Sequence, residues 1–234
     1  MKLKGVILAA GTSSRLFPAT KSFTKHFLTI YDKPLIYYPL SVLMLAGVKD
    51  ILIIVKSNEL HLYKSLLKNG LDLGIKITYT IQDQPKGIAD AFFLCKEYVG
   101  KNNFYLILGD NLFFGTLFSK ILKDAKNIKT KNACFFASEV DNPSEFGVLK
   151  FNNNNEPVKI IEKPKKSISN KVITGLYFYK PKVFNMLNKI KKSKRGELEI
   201  SSINNLFLKN NDCEIINLNR GFTWLDTDSP DNLL

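Results

Sequence analysis

Histidine, cysteine and arginine are all scarce in this 234-residue sequence, and the first two scarcities each remove a class of chemistry. The two histidines, His26 and His61, share no metal-ligand spacing, and no Ser/His or Cys/His constellation for nucleophilic catalysis can be assembled. Cys95, Cys134 and Cys213 fit neither a zinc spacing nor a disulfide framework, so buried free thiols in a reducing compartment are expected. No apolar run is long enough to cross a bilayer. The amino-terminal "KLKGVILA" reads as a strand and lacks the apolar region and cleavage site of a signal peptide. A cytoplasmic protein without a membrane partner is the expectation. Neither G-x-x-x-x-G-K-[ST] nor G-x-G-x-x-G occurs.

Lysine is abundant. Of the 34 basic residues 31 are Lys, and the net charge is +13. Such a balance fits phosphorylated ligands or nucleic acid. The Lys are scattered, without aromatic-interleaved stripes or a recognised nucleic-acid module, so the charge reads as a solvated surface and no nucleic-acid partner is expected. The three arginines, Arg15, Arg195 and Arg220, carry more information.

The first half alternates short apolar strands with helix-like runs. "GVILAA", "DILIIV", "IKITYTI" and "NFYLILGD" read as strands. "LIYYPLSVLMLAG", a Lys/Leu run over 59–68, and "GIADAFFLCKEYV" read as helices. This order predicts βαβ units, a mainly parallel sheet, and a ligand edge at the strands' carboxyl ends. The loops after Ala10, Gln82 and Gly109 should share that edge. In the second half "ACFFASEV", "FGVLKF", "VKIIEK" and "ITGLYFYK" predict antiparallel additions. The helix-like "KVFNMLNKI" and "LEISSINNLFLKN" follow, then strands "CEIINLN" and "FTWLD". The expected fold class is α/β: a Rossmann-like, mixed, mostly parallel central sheet flanked by helices, with antiparallel additions. One continuous sheet would form a single domain over 1–234, with a nucleotide-type half (1–115) and a substrate-type half (116–234).

Ala9 to Ser14 form a small-residue loop behind a buried strand, followed by Arg15. Small residues let backbone N–H groups approach an anion, and Arg can fork onto phosphate oxygens. The same residues also suit a tight strand exit beside an exposed Arg. Asp110 ends an apolar strand, a place for Mg²⁺ beside phosphates or for an N-cap. Lys25 alone is one Lys among many, and Gln82 alone a generic loop residue.

The stretches "ILAAGTSSRL", "TKSFTKHFLTIYDKPLIYYPLSVLMLAG", "QDQPKGIADAF", "LGDNLFFG", "EFGVLKF", "EKP", "ITGLYFY", "RGELEISSIN" and "RGFTWLDT" run in order down the chain. Together they resemble the sugar-1-phosphate nucleotidylyltransferases, in particular the glucose-1-phosphate thymidylyltransferase branch, over essentially all 234 residues. The resemblance implies the nucleotide-diphospho-sugar transferase fold and Mg²⁺-dependent attack of glucose 1-phosphate on the α-phosphate of dTTP, feeding deoxysugar and surface-polysaccharide synthesis. It implies that Arg15 holds the triphosphate and that Lys25 contacts the α-phosphate and the sugar phosphate. Leu8, Ala10, Gly11, Thr12, Gln82, Gly87 and Asp110 would bind the nucleotide, with Gly87 allowing close approach of the base. Gly147, Glu162, Lys163, Ile173, Thr174 and Arg195 would bind the sugar phosphate. Asp110 and Asp226 would hold Mg²⁺, and Arg220 would support the "WLDT" segment.

The chain departs from the family pattern at several positions. Ala10, Ser13 and Asp228 each stand where the family usually has Gly, and Ile173 where it has Val. Ser13 would carry strain if its φ were positive, and Asp228 would be either a decoy or an extra charge near the metal. Relatives continue into further helices, whereas "DSPDNLL" reads as a helix start with Ser229 as N-cap and Pro230 at the first position, after which the chain stops. A weakened homo-oligomer contact and loss of an effector site are the corresponding expectations. UTP, CTP or another sugar phosphate as substrate, and a non-catalytic sugar-nucleotide-binding subunit, are the alternatives left open.

Overall fold

The four strands that read as apolar runs pair in parallel at the centre of the molecule. The computed structural model describes residues 2–18, 20, 21, 24–84 and 86–228. In chain order the strands are β1 (Leu3–Leu8), β2 (Thr29–Ile30), β3 (Lys33–Pro34), β4 (Asp50–Val55), β5 (Lys76–Ile81), β6 (Asn103–Leu108), β7 (Asn111–Gly115), β8 (Ala133–Glu139), β9 (Gly147–Phe151), β10 (Pro157–Glu162), β11 (Lys171–Tyr179), β12 (Cys213–Asn217) and β13 (Phe222–Asp226). The α-helices are α1 (Tyr37–Leu45), α2 (Leu60–Leu67), α3 (Ala91–Val99), α4 (Phe118–Lys126) and α5 (Ile200–Lys209).

Among the described residues, nine strands form the main sheet. β5, β4, β1 and β6 lie side by side in parallel, with Val6 opposite both Leu52 and Leu106. β11 pairs antiparallel with β6 and carries β8 on its other side. Its first residues pair with β9, which pairs with β10. β12 closes the far edge parallel to β8. Both sheet faces are covered, so the central strands are apolar on both sides rather than alternating. Val6, Leu52 and Leu106 pack with Phe92 of α3 and Phe207 of α5. Ile7, Ile53 and Ile107 pack with Leu43 of α1, Tyr63 of α2 and Leu122 of α4 on the opposite face.

Several expectations change. β13 does not join the main sheet: it pairs antiparallel with β7 in a separate ribbon. Neither β7 nor α4 was legible as an element of its own. Residues Pro181–Lys189 form 3₁₀ turns instead of an α-helix. Their buried Val183, Phe184, Met186 and Leu187 still supply the apolar face that the pattern announced. Cys95 and Cys134 are buried, but Cys213 is only half-buried because it starts an edge strand. The helix start assigned to Ser229 and Pro230 lies outside the described residues. No helix among the described residues is long and apolar enough to cross a membrane.

Candidate active site

Because β1, β4, β5 and β6 run in parallel, their carboxyl ends share one edge. The loops leaving β1, β5 and β6 border a cleft that opens to solvent there. Leu8, Ala10, Gly11 and Thr12 line it from the first loop. Gln82, Gly87 and Asp110 line it from the others, so all seven residues expected at the nucleotide come together.

The first loop is held by its own backbone. Ala9 N donates to Ile54 O at 2.8 Å, and Gly109 N donates to Leu8 O at 2.8 Å. Ser13 sits at φ +54°, in the left-handed region. A non-glycine residue there costs roughly 1–2 kcal/mol. The conformation is braced by Thr20 Oγ1, which donates to Ser13 O at 2.7 Å, and by Leu16 N at 3.2 Å. The loop therefore keeps a turn suited to glycine with a serine in it. Gly11 has nothing within 4 Å of where its Cβ would be, so its bareness leaves room in the cleft.

Gly87 lines the cleft and is also required to be glycine by a neighbouring loop. Its φ is +105°, and a Cβ would stand 2.4 Å from Leu198 O. Leu198 N donates to Lys86 O at 2.7 Å, and Ala89 N donates to Leu198 O at 3.0 Å. The steric demand comes from this backbone clip between two loops. Gln82 Nε2 donates to Asp90 Oδ2 at 2.8 Å, which fixes the direction of the amide.

The charged centre follows from the β7–β13 ribbon. Asp226 lies opposite Asn111 in the ribbon register, so two acids 116 positions apart are brought together. The Asp110 carbonyl accepts from Thr227 Oγ1 at 2.8 Å and from Thr227 N at 3.1 Å. Asn111, fully buried, links three segments. Its Oδ1 accepts from Trp224 Nε1 at 2.7 Å and from Gly175 N at 3.0 Å, while its Nδ2 donates to Asp110 Oδ1 at 2.9 Å.

Lys25 opens a 3₁₀ turn and is almost fully buried. Its ammonium pairs with both Asp110 and Asp228. Arg15 pairs with Asp228 at 2.7 Å and with Glu145 at 3.1 Å. Burial alone would lower Lys25; the facing carboxylates outweigh it and hold the ammonium above its ordinary value. Burial alone would raise Asp110; Lys25 and Asn111 outweigh that and hold it low. The Asp226 carboxyl is pushed up to about 8 by burial and by the neighbouring charges of Asp110 and Asp228. Carboxylate oxygens of Asp110, Asp226 and Asp228 all lie within 4.8 Å of one another. A cluster of hard oxygen donors of this kind fits a divalent cation of the Mg²⁺ or Mn²⁺ type. Asp228 is thus an extra charge within the cluster.

Sequence reasoning also passed over His26. Its ring is buried, with Nδ1 within hydrogen-bond distance of Thr24 Oγ1 (2.8 Å) and Tyr63 Oη (2.9 Å). Burial, with Lys25 and Lys56, holds the imidazole well below its ordinary value. A Cβ at Gly109 would stand 2.8 Å from His26 Nε2, so that glycine lets the imidazole pack behind the strand ends.

A second, smaller cavity lies between the ribbon, β11 and α5. Gly147, Glu162, Lys163, Ile173 and Thr174 line it, as expected for the sugar side, together with Tyr177, Asn204 and Trp224. Burial raises Glu162 above the usual carboxylate range. Lys163, at φ +42°, turns off the end of β10 so that it lines both cavities. Thr174 directs its hydroxyl to Phe136 O at 3.0 Å, which leaves its donor used within the fold. Arg195 is not among the residues lining this second cavity. It borders the nucleotide cleft, between Glu197 at 3.6 Å and Glu199 at 3.5 Å, because the clip at Leu198 draws its loop toward Gly87. The two cavities share Arg15, Lys163 and Asp228 at their junction.

A family profile described as nucleotidyl transferase matches residues 4–234. A glucose-1-phosphate thymidylyltransferase of Neisseria meningitidis is 46% identical over 99% of this chain and 80% of its own length. One from Mycobacterium tuberculosis is 40% identical with the same shares covered. A Bacillus anthracis crystal structure, assigned as a glucose-1-phosphate thymidylyltransferase and solved with sucrose, superposes with a TM-score of 0.90 at 37% identity. It covers 99% of this chain and 92% of that one. A UDP-glucose pyrophosphorylase structure shares the fold, with a TM-score of 0.85 at 24% identity, over 100% of this chain and 96% of its own.

Proposed function

This chain belongs to the nucleotidyl transferase family, in its glucose-1-phosphate thymidylyltransferase branch, and from that premise we propose that it transfers a thymidylyl group from dTTP to glucose 1-phosphate. The products are dTDP-glucose and pyrophosphate. The observation that carries the reading is the meeting of two cavities at Arg15 and Lys163, with Lys25 and Asp110 bordering one and Asp226 the other. A nucleoside triphosphate in the larger cleft and a sugar phosphate in the smaller would place their phosphates against each other at that junction.

An oxygen of the sugar phosphate forms the new bond to the α-phosphorus, and the bond from that phosphorus to the β-phosphate oxygen breaks. The attacking oxygen is already anionic, so no side chain is needed as a general base. Catalysis then rests on positioning and charge neutralisation. Lys25, a buried ammonium whose charged form Asp110 and Asp228 favour, faces the α-phosphate and offsets its charge. Arg15 forks onto the departing pyrophosphate. Lys163 holds the sugar phosphate, Glu162 accepts from sugar hydroxyls, and Gln82 reads the base edge. Asp110 and Asp226 fit Mg²⁺, which when bound neutralises phosphate charge at the same place. The halves 1–115 and 116–234 divide nucleotide from sugar in this reading. The cytoplasm, where nucleoside triphosphates are made, is its setting, and dTDP-deoxysugar synthesis its use.

The test is pyrophosphate release from dTTP, UTP and CTP, each with glucose 1-phosphate and other hexose phosphates. The expected result is highest kcat/KM for dTTP with glucose 1-phosphate, and loss of most turnover in Asp110→Asn without loss of fold. Preference for UTP or CTP would overturn the thymidylyl assignment. Binding without pyrophosphate release from any pair would make the chain a sugar-nucleotide-binding subunit.

A further inference from the structure

Asp228 has no part in the reaction just described, yet it engages both cations assigned to the phosphates. One carboxylate oxygen pairs with Lys25, and the other with Arg15 at 2.7 Å. The other side of the Arg15 guanidinium is occupied by Glu145 at 3.1 Å. Carboxylate and phosphate oxygens compete for the same N–H donors with similar geometry. Asp228 lines both cavities, so it stands where the phosphates of the two substrates would meet. Its side chain is 27% exposed, against 4% for Lys25. The cation is therefore fixed, and its carboxylate partner is the group with a path to solvent.

Resting on the reading above, we propose that Asp228 is an internal surrogate for phosphate that makes triphosphate binding conditional on an accompanying divalent cation. A triphosphate arriving alone must displace this carboxylate from Arg15 and Lys25. It must also lie beside three acids whose oxygens cluster within 4.8 Å. The first demand opposes binding by competition for the cations, and the second by repulsion from the ionised carboxylates. With a divalent cation bound among the acids, the negative charge is offset and Asp228 has an alternative partner. The free protein thereby keeps its two phosphate-binding cations ordered and compensated without admitting metal-free triphosphate.

The experiment is calorimetric titration of the full chain with dTTP, without glucose 1-phosphate, in EDTA and in excess Mg²⁺. Wild type, Asp228→Asn and Asp228→Gly are compared, with thermal melts as the check on folding. The expected result is metal-free dTTP binding at least tenfold tighter in both variants than in wild type, with a smaller ratio between the metal-free and Mg²⁺ dissociation constants. Metal-free affinity in the variants equal to or weaker than wild type overturns the proposal. Glu145→Gln, which frees the other side of Arg15, should shift in the same direction by a smaller factor. It carries the test if the Asp228 variants do not fold, and an unchanged metal-free affinity in it then overturns the proposal. Failure of wild type to bind dTTP even with Mg²⁺ would sink the thymidylyl-transfer reading itself, whereas normal wild-type turnover with unaltered variants would sink only the role of Asp228.

Discussion

Replacing Asn111 by alanine should unhinge the acid cluster while leaving each acid in place. The amide accepts from Gly175 N at 3.0 Å and from Trp224 Nε1 at 2.7 Å, and donates to Asp110 at 2.9 Å. In Asn111→Ala the buried Gly175 N–H loses its acceptor, which costs about 1–3 kcal/mol. The half-buried indole recovers part of its loss from water, so its share is smaller, about 0.5–1 kcal/mol. With a small cavity added, the total is about 2–4 kcal/mol. For a chain of this size 1 kcal/mol moves Tm by roughly 2–4 °C, so a fall of about 5–15 °C is expected. Trp224 is the sole tryptophan, and its emission should shift to the red as the indole gains water. The activity should fall further than the stability suggests. An acid displaced by about 1 Å can cost roughly 100-fold in rate, and Asp226 is held by the ribbon that Asn111 anchors. Melts followed by circular dichroism, tryptophan emission and pyrophosphate release measure the three effects. A Tm within 2 °C of wild type, with unchanged emission, would refute the assignment of Asn111 as the anchor.

Two further expectations follow from packing and charge. Gly87→Ala must relieve a Cβ contact of 2.4 Å with Leu198 O at φ +105°, so the loops should separate. Affinity for dTTP should drop by about tenfold, the equivalent of about 1.4 kcal/mol, and equal affinity in the variant would show that the clip does not shape the cleft. His26 is neutral in the folded protein because burial and two lysines hold its imidazole low. The unfolded imidazole takes up a proton below about pH 6.5, so stability is full above that pH and declines as pH falls, by at most about 1.4 kcal/mol per unit. His26→Gln should lack that share of the decline in urea denaturation between about pH 6.5 and 5, and identical slopes would refute the burial argument.

The parallel centre of the fold was legible because burial on both faces writes continuous apolar runs such as "DILIIV" into the chain. The nucleotide-side cleft follows from the parallel strand ends, and Arg15, Lys25, Asp110 and Asp226 do converge. Other parts were hidden for a physical reason. Asn111 acts through partners at 175 and 224, and an amide in "LGDN" looks like any turn residue. The pairing of β7 with β13 joins segments more than a hundred positions apart, and local pattern cannot register it. The steric demand on Gly87 was hidden in the same way, because Leu198, the residue that imposes it, is equally remote in sequence. Asp228 beside "WLDT" read as either a decoy or an extra charge near the metal, and its contacts with Arg15 and Lys25 lie too far back in the chain for local pattern to register.

The ribbon also bears on how the protein comes into being. A nascent chain that has not yet reached Phe222 already contains the parallel strands, the small-residue loop, Lys25 and Asp110. Its β7 would still have no partner strand, and the second acid would be missing. The core can collapse during synthesis, as amino-terminal regions generally do. Chemistry waits for β13 to be delivered and zipped onto β7, so the acid cluster is completed only once the chain through Asp228 is available to fold.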